Sequence, residues 1–399
     1  MKVTVLTTTF PRHRNDPCGQ FIASLLASLP FQFEVVCPSD SALGPLDLPR
    51  VQRRMFRNAG VFYGSGGVAN WREKRAGVWA VATTLFSMSA TALRAASHSA
   101  VIWSHWAVPA GLIGALCRLL LRRRHILLLH SADVWLLERM PGGRLLARFI
   151  AAHTDEILGV SQDLVARFAH LSGRRGRVLS CGIEPNPFFT ARYASAHTPL
   201  HTSQRAPARV GTLSRLVPSK GALALAEWAD AIAGGLAVAG DGPEATALSE
   251  LSRRTKNLVY RGPLVGHAKH AFLAELAVFA APYTRTAWGQ QEGLPTAVLE
   301  AMAAGCAVVA FRGAVPMELL RHGENGLLVP DEDFVGMTHA INHLLSDSTL
   351  CTHLGEAARR SAEPYLLPHI SREWARVLAA KPAPRNDTML ALDPGRQRT

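Results

Sequence analysis

The sequence predicts an α/β protein built from two doubly wound parallel sheets, and three observations carry that prediction. The chain has 399 residues, too many for one ordinary core and suited to two. Short, continuously apolar runs rich in β-branched residues alternate with longer helical patterns, as in parallel sheets covered on both faces. The alternation occurs twice, on either side of a stretch without apolar periodicity.

In the first half the strand candidates are Val3–Leu6, Phe33–Cys37, Val101–Ser104, Ile126–His130, Glu156–Val160 and Arg177–Ser180, with helices expected at Phe21–Leu29, Ala110–Leu121 and Gln162–Ala169. Gly77 to Leu93 is uncharged, but it is slightly short for a bilayer span and carries many Ser and Thr, so it reads as a buried helix. Residues 112–129 are interrupted by Arg118 and by Arg122 to Arg124 and do not span a bilayer. In the second half the strands are expected at Arg209–Leu213, Leu236–Ala239, Leu258–Tyr260, Val278–Ala281, Ala307–Phe311 and Gly326–Val329. Residues 190–208, rich in Pro, Ser, Thr and His, form the expected linker between a first domain at 1–189 and a second at 209–380. A terminal helix near Ser371–Ala380 is grouped with the second domain, and 381–399 reads as a disordered tail.

Hydrophobic residues make up 48% of the chain and charged residues 18%, a globular balance. The net charge of +13 is uneven, because residues 1–187 hold twenty-two Lys and Arg against eleven Asp and Glu. Such asymmetry suits an acidic partner, whether anionic lipid, a phosphate-bearing substrate or nucleic acid, although a merely Arg-rich composition gives the same count. Arg50, Arg53, Arg54 and Arg57 recur with near-helical spacing, Arg72, Lys74 and Arg75 sit beside Trp71, and Arg122 to Arg124 are consecutive. The Gly-rich run Gly64–Gly67 reads either as an acceptor-side or membrane-facing loop or as a plain surface turn. Six Cys without a CxxC pair or Cys/His ligand spacing fit a reducing compartment and argue against structural zinc. Met1 to Phe10 is a poor signal peptide, so a cytoplasmic protein is expected. Aromatics at 7% without a recognised binding motif argue against nucleic acid, and no GxGxxG follows a strand, which argues against a nicotinamide-dependent dehydrogenase.

The strongest signal is Glu292-Gly293-Leu294-Pro295-Thr296-Ala297-Val298-Leu299-Glu300, closed by Gly305. It opens a helix after an apolar strand, and a helix N-terminus suits a diphosphate. Two carboxylates eight positions apart on a helix lie about 12 Å apart along its axis. Ser214-Arg215-Leu216-Val217-Pro218-Ser219-Lys220-Gly221 places two cations at another strand end, where they can neutralise a leaving diphosphate. Gly240-Asp241-Gly242-Pro243-Glu244 forms a Gly turn after a third strand.

Together these segments resemble the retaining glycosyltransferases of glycosyltransferase family four, with their E-x7-E, G-R-L-x-x-x-K-G and G-x-G-P-E motifs. Val259 to Gly262 and Gly313 to Gly326, with Pro316, Glu318 and Asn325, continue the likeness through nearly all of 209–330. Ser214 stands where the family has Gly. The first domain is similar more loosely: Thr9-Phe10-Pro11 through Asp16, Gly19 and Gln20, then His105-Trp106 with Pro109-Ala110-Gly111, and His130-Ser131-Ala132-Asp133 for H-G-x-D, with Ser131 replacing Gly. Cys181-Gly182-Ile183-Glu184 stands where relatives have Asn-Gly-Val-Asp and is assigned to the hinge.

The resemblance implies the GT-B fold, two Rossmann-like domains around a cleft. It implies transfer of a hexose-type sugar from a nucleotide-sugar donor with retention of configuration and no metal or other cofactor, in polysaccharide or glycoconjugate synthesis. Glu292 would contact the donor sugar with His130 across the cleft, and Glu300 the ribose. Arg215, Lys220, Gly19 and the backbone of Gly293, Leu294, Pro295 and Thr296 would hold sugar and phosphate. His105 and Asp133 are expected on the acceptor side. The acceptor would be a saccharide, free or lipid-linked, with peripheral contact to an anionic membrane. A nucleotide-sugar 2-epimerase of the same fold is the alternative, and a basic nucleic-acid-binding protein a more distant one.

Overall fold

A computed structural model describes residues 1–63, 77–188, 209–284 and 292–381. The Gly64–Gly67 loop, the Trp71 to Arg75 stretch, the linker at 190–208 and the tail beyond Lys381 lie outside the described residues.

The first domain runs β1 (Lys2–Leu6), α1 (Gln20–Ser28), β2 (Gln32–Pro38), β3 (Val51–Phe56), α2 (Val78–Ser97), β4 (Val101–His105), α3 (Leu112–Leu121), β5 (Arg124–Leu129), α4 (Ala132–Arg139), α5 (Gly143–Ala152), β6 (Glu156–Gly159), α6 (Gln162–Ser172) and β7 (Arg177–Val178). Its seven strands are parallel in the order β3-β2-β1-β4-β5-β6-β7. Helices cover both faces, so β4 and β5 are buried along their whole length, with continuous apolar runs at Val101–Trp103 and Ile126–Leu129 and buried polar residues at Ser104, His105, Arg124 and His125.

Two expectations for this domain need correction. Arg53 and Arg54 lie on the edge strand β3 and not on a helix. Arg53 donates to the carbonyls of Arg12 (2.8 Å) and Gly44 (2.6 Å), and Arg54 pairs with the buried Glu34, so both are tied into the domain. Helix α2 is buried on one face only. Thr84, Met88, Ala92, Ala95 and Ala96 face the sheet, while Val78, Trp79 and Phe86 are 82%, 83% and 76% exposed. Among the described residues no helix is long and apolar enough to cross a membrane.

The second domain runs β8 (Val210–Leu213), α7 (Ala222–Ala226), β9 (Leu236–Ala239), α8 (Ala245–Arg254), β10 (Leu258–Tyr260), α9 (Gly266–Glu275), β11 (Val278–Ala281), α10 (Thr296–Ala303), β12 (Ala307–Phe311), β13 (Leu327–Val329), α11 (Phe334–Ser346) and α12 (Ser348–Ala362). Its sheet is parallel in the order β10-β9-β8-β11-β12-β13. Gly305, at φ 76, turns the chain out of α10, the role its position after the Ala-rich helix suggests.

The last helix, α13 (Leu367–Ala379), follows the second domain in sequence but packs on the first. Its Trp374 lies 4.1 Å from Trp103, ring centre to ring centre, and donates to the Ser180 carbonyl at 2.8 Å. Arg124 reaches the carbonyls of Val377 (2.6 Å) and Ala380 (2.9 Å) from β5. Ile183 forms a bridge with Leu366, so the outgoing and returning segments cross side by side between the domains.

Candidate active site

Strand order reverses between β1 and β4 in one sheet and between β8 and β11 in the other. Doubly wound sheets take their ligands at the carboxyl ends of the strands flanking such a reversal. The motif residues stand at those ends.

On the first domain the loop after β1 returns through Gly19, whose φ of 71 suits glycine; a Cβ there would lie 2.8 Å from Phe10 Cα. Buried Asp16 knits this loop together, accepting from Arg12 Nε (2.6 Å), Arg12 N (2.9 Å) and Cys18 N (3.1 Å). Burial raises the Asp16 carboxyl, but the Arg12 bonds outweigh it and hold it below the ordinary range.

Across the reversal, His105 ends β4 and His130 follows β5. Their rings meet through Nδ1 of His105 and Nε2 of His130 at 3.0 Å, and Trp106 stacks on His130 with 4.4 Å between ring centres. Burial pushes His130 down to about 3 and, with the His130 charge, drives His105 well below the usual imidazole value. Both rings are therefore neutral, one donating to the other. Asp133 accepts from the backbone N–H of Ala107 (2.7 Å), Ser131 (2.9 Å) and His130 (3.3 Å). His105 and Asp133, expected on the acceptor side, are 0% and 2% exposed. The Asp133 carboxylate is taken up by the backbone of the turns after β4 and β5, and the His105 ring is enclosed against His130.

On the second domain the loop after β8 is pinned by the Gly turn after β9. Leu216 N donates to Asp241 O (2.8 Å) and Glu244 N to Leu216 O (3.1 Å). A Cβ on Gly240 or Gly242 would collide with the Ser214 or Leu216 carbonyl. Lys220 is thereby delivered to Glu292, Nζ to Oε1 2.9 Å, while lying 4.0 Å from the centre of the Tyr283 ring. Burial raises the Glu292 carboxyl, but the charge and hydrogen bond of Lys220, joined by the charge of Arg215, hold it below its ordinary value and ionised.

Glu292 lies in the turn before α10, which begins at Thr296, so the helix-axis distance expected between Glu292 and Glu300 does not apply. Glu300 is on the helix and receives Lys269 Nζ from α9 at 2.6 Å. Gly293 meets the other domain directly, since a Cβ there would collide with the His130 carbonyl. Leu294 packs against both domain cores. Glu318 accepts from Gln162 N at the start of α6 (2.8 Å), a second tie across the cleft. Glu184 accepts from Ser24 on α1 at 2.6 Å and lies 3.9 Å from His270 on α9. The Asp-x-Asp triplet Asp331–Asp333 stands apart from this site: Asp331 accepts from Gly313 N (2.6 Å), and Asp333 caps α11 through Gly336 N (2.8 Å).

Residues 207–347 match the family described as Glycosyl transferases group 1. Over 282 residues the chain is 30% identical to the GDP-mannose-dependent alpha-(1-6)-phosphatidylinositol monomannoside mannosyltransferase of Mycolicibacterium smegmatis, covering 65% of this chain and 71% of that one. The chain belongs to the group 1 glycosyl transferases. This glycosyltransferase is also 26% identical to the Mycobacterium tuberculosis enzyme of the same description, over 90% of its own length and 92% of the relative's. Anabaena HepE, crystallised with UDP and glucose, shares its GT-B fold at a TM-score of 0.70 and 19% identity, covering 95% of this chain and 99% of HepE.

Three contacts in and around the candidate site give no signal in the sequence. Lys269 gave no signal because its partner Glu300 is 31 positions away. Leu294 was assigned to backbone contact, but its side chain joins the two cores. Cys181, assigned to the hinge, has its sulfur within 4.8 Å of nitrogens of both His105 and His130.

Proposed function

We propose that the protein is a retaining, metal-independent glycosyltransferase of family four that moves a hexose-type sugar from a nucleotide-sugar donor to a saccharide or lipid-linked saccharide. The observation that carries this reading is the Lys220–Glu292 pair, with Arg215 acting on the same carboxylate, set at one sheet reversal while Gly293 abuts His130 at the other. In this reading Arg215 and Lys220 receive the diphosphate and stabilise the charge that grows on it as the bond to the sugar breaks. Glu292 and neutral His130 bracket the sugar, Glu300 takes the ribose with Lys269 exchanging onto it, and the acceptor hydroxyl attacks from the face the diphosphate leaves. The relatives named GDP-mannose-dependent and the neighbour holding UDP both support a nucleotide donor.

Thermal shift across UDP-, GDP- and ADP-sugars identifies the donor, because a ligand of the native state raises apparent stability. Nuclear magnetic resonance of the transfer product then reads its anomeric configuration. Glu300→Ala is expected to weaken nucleotide binding and Glu292→Ala mainly to slow turnover, each by about 1.5–3 kcal/mol. Wild-type donor affinity and turnover in both variants overturns the assignment. Chelator is expected to leave transfer intact, and loss of activity in EDTA that magnesium or manganese restores overturns metal independence.

A further inference from the structure

The side chains of His105, His130 and Cys181 come from the ends of β4 and β5 and from the crossover after β7, and converge beneath the cleft. Their nearest donor atoms all lie within 4.8 Å of one another. Nothing in the transfer chemistry uses the thiol. His105 Nε2 is fully buried with no hydrogen-bond partner among the described residues. One thiol and two imidazoles form the donor set preferred by zinc and copper(I), whose tetrahedral edges are about 3.4–3.8 Å for bonds of 2.1–2.3 Å. His130 is only partly buried, which gives an ion a path from the cleft.

We infer that His105, His130 and Cys181 form a three-ligand site for a zinc-class cation, and that its occupation inhibits transfer by withdrawing His130 from the donor. Binding releases the thiol proton to solvent and leaves a thiolate on the metal, with each imidazole coordinating through one nitrogen and keeping its proton on the other. No electron changes hands. Burial holds the free thiol well above its ordinary pKa, so without metal Cys181 is an inert, protonated side chain.

The inhibitory half rests on His130 serving the donor; the binding half does not. Cobalt(II) is therefore the first probe, since thiolate coordination gives a near-ultraviolet charge-transfer band whether or not the enzyme transfers sugar. The band is expected in the wild type and in Cys18→Ser, and absent in Cys181→Ser and Cys181→Ala. No band in the wild type, or an undiminished band in both Cys181 variants, overturns the site. Donor-induced thermal shift checks that each variant is folded. Zinc is then expected to inhibit the wild type, with EDTA restoring activity, and to need at least tenfold higher concentration in Cys181→Ser. Equal zinc sensitivity with the cobalt band lost would leave the site and overturn its inhibitory role.

Discussion

Ser131 holds φ 153 and ψ −64, a backbone conformation that side-chain-bearing residues rarely adopt and that the H-G-x-D resemblance gives to glycine. It stays there because Asp133 binds the N–H groups on both sides of the turn, those of His130 and Ser131. Ser131→Gly is expected to relieve strain of roughly 1–3 kcal/mol against a smaller unfolded-state cost, for a net gain of about 1 kcal/mol in urea unfolding. A loss of stability sinks that account. The buried histidines make a second prediction. Burial drives His125 down to about 4 and His130 to about 3, and His105 lower than its usual value, while the unfolded chain titrates near 6.5. Between those values the unfolded chain binds protons that the folded chain refuses. Stability is therefore complete above about pH 6.5 and falls as pH drops toward 4 and 3. Between pH 6.5 and 5, before most carboxylates titrate, the urea midpoint should already decline. A flat midpoint there contradicts neutral buried rings.

At the scale of elements, the strands with continuous apolar runs were legible and the edge strand β3 was not. Val51–Phe56 carries Gln52, Arg53 and Arg54 in its middle and lacks a continuous apolar run, because an edge strand meets solvent and carries charges that discourage further pairing. The Arg spacing imitated a helix. The second-domain motifs were readable because each is contiguous and starts in a loop between a strand and the next helix. The hydrogen-bonded His pair, Lys269 beneath Glu300 and the Cys181 cluster depend on strand ends brought together only by topology, which local spacing does not encode. Helix α13 follows the second domain in the chain, and its packing on the first domain is visible only in tertiary contacts. Trp374 is fully buried against Trp103, which in turn lies 4.9 Å from His105, so α13 supports the His pair from below. Trp374→Ala is expected to cost about 3–5 kcal/mol, read from the first domain's unfolding by circular dichroism. A cost under about 1 kcal/mol would mean that α13 is only loosely docked.

For the whole molecule, the uneven charge gains a location. Arg53 and Arg124 are engaged within the first domain and leave the surface account, while Arg54 stays half-exposed and paired with Glu34. Of the exposed cations, Arg57, Arg122 and Arg123 lie close to two apolar runs on adjacent helices: Val78, Trp79 and Phe86 on α2, and Leu116, Leu119 and Leu120 on α3. The Arg57 backbone N–H bonds Ser87 midway along α2, and Arg123 reaches the Ser97 carbonyl at its C-terminal end, so the cations lie beside α2 at its middle and its end. Apolar side chains beside Arg suit a headgroup boundary, where each cation contributes about 1 kcal/mol within a Debye length. We propose that this face docks peripherally on anionic lipid, which would bring a lipid-linked acceptor to the cleft. Co-sedimentation with anionic vesicles should fall at high salt. It should weaken with Arg122→Ser plus Arg123→Ser through charge, and with Trp79→Ser plus Phe86→Ser through lost apolar burial, while neutral vesicles bind poorly throughout. Arg53→Ser, by contrast, should lower stability without a specific loss of vesicle binding, because it frees the Arg12 and Gly44 carbonyls. Absence of binding to anionic vesicles even at low salt ends the docking proposal and leaves the transferase assignment standing.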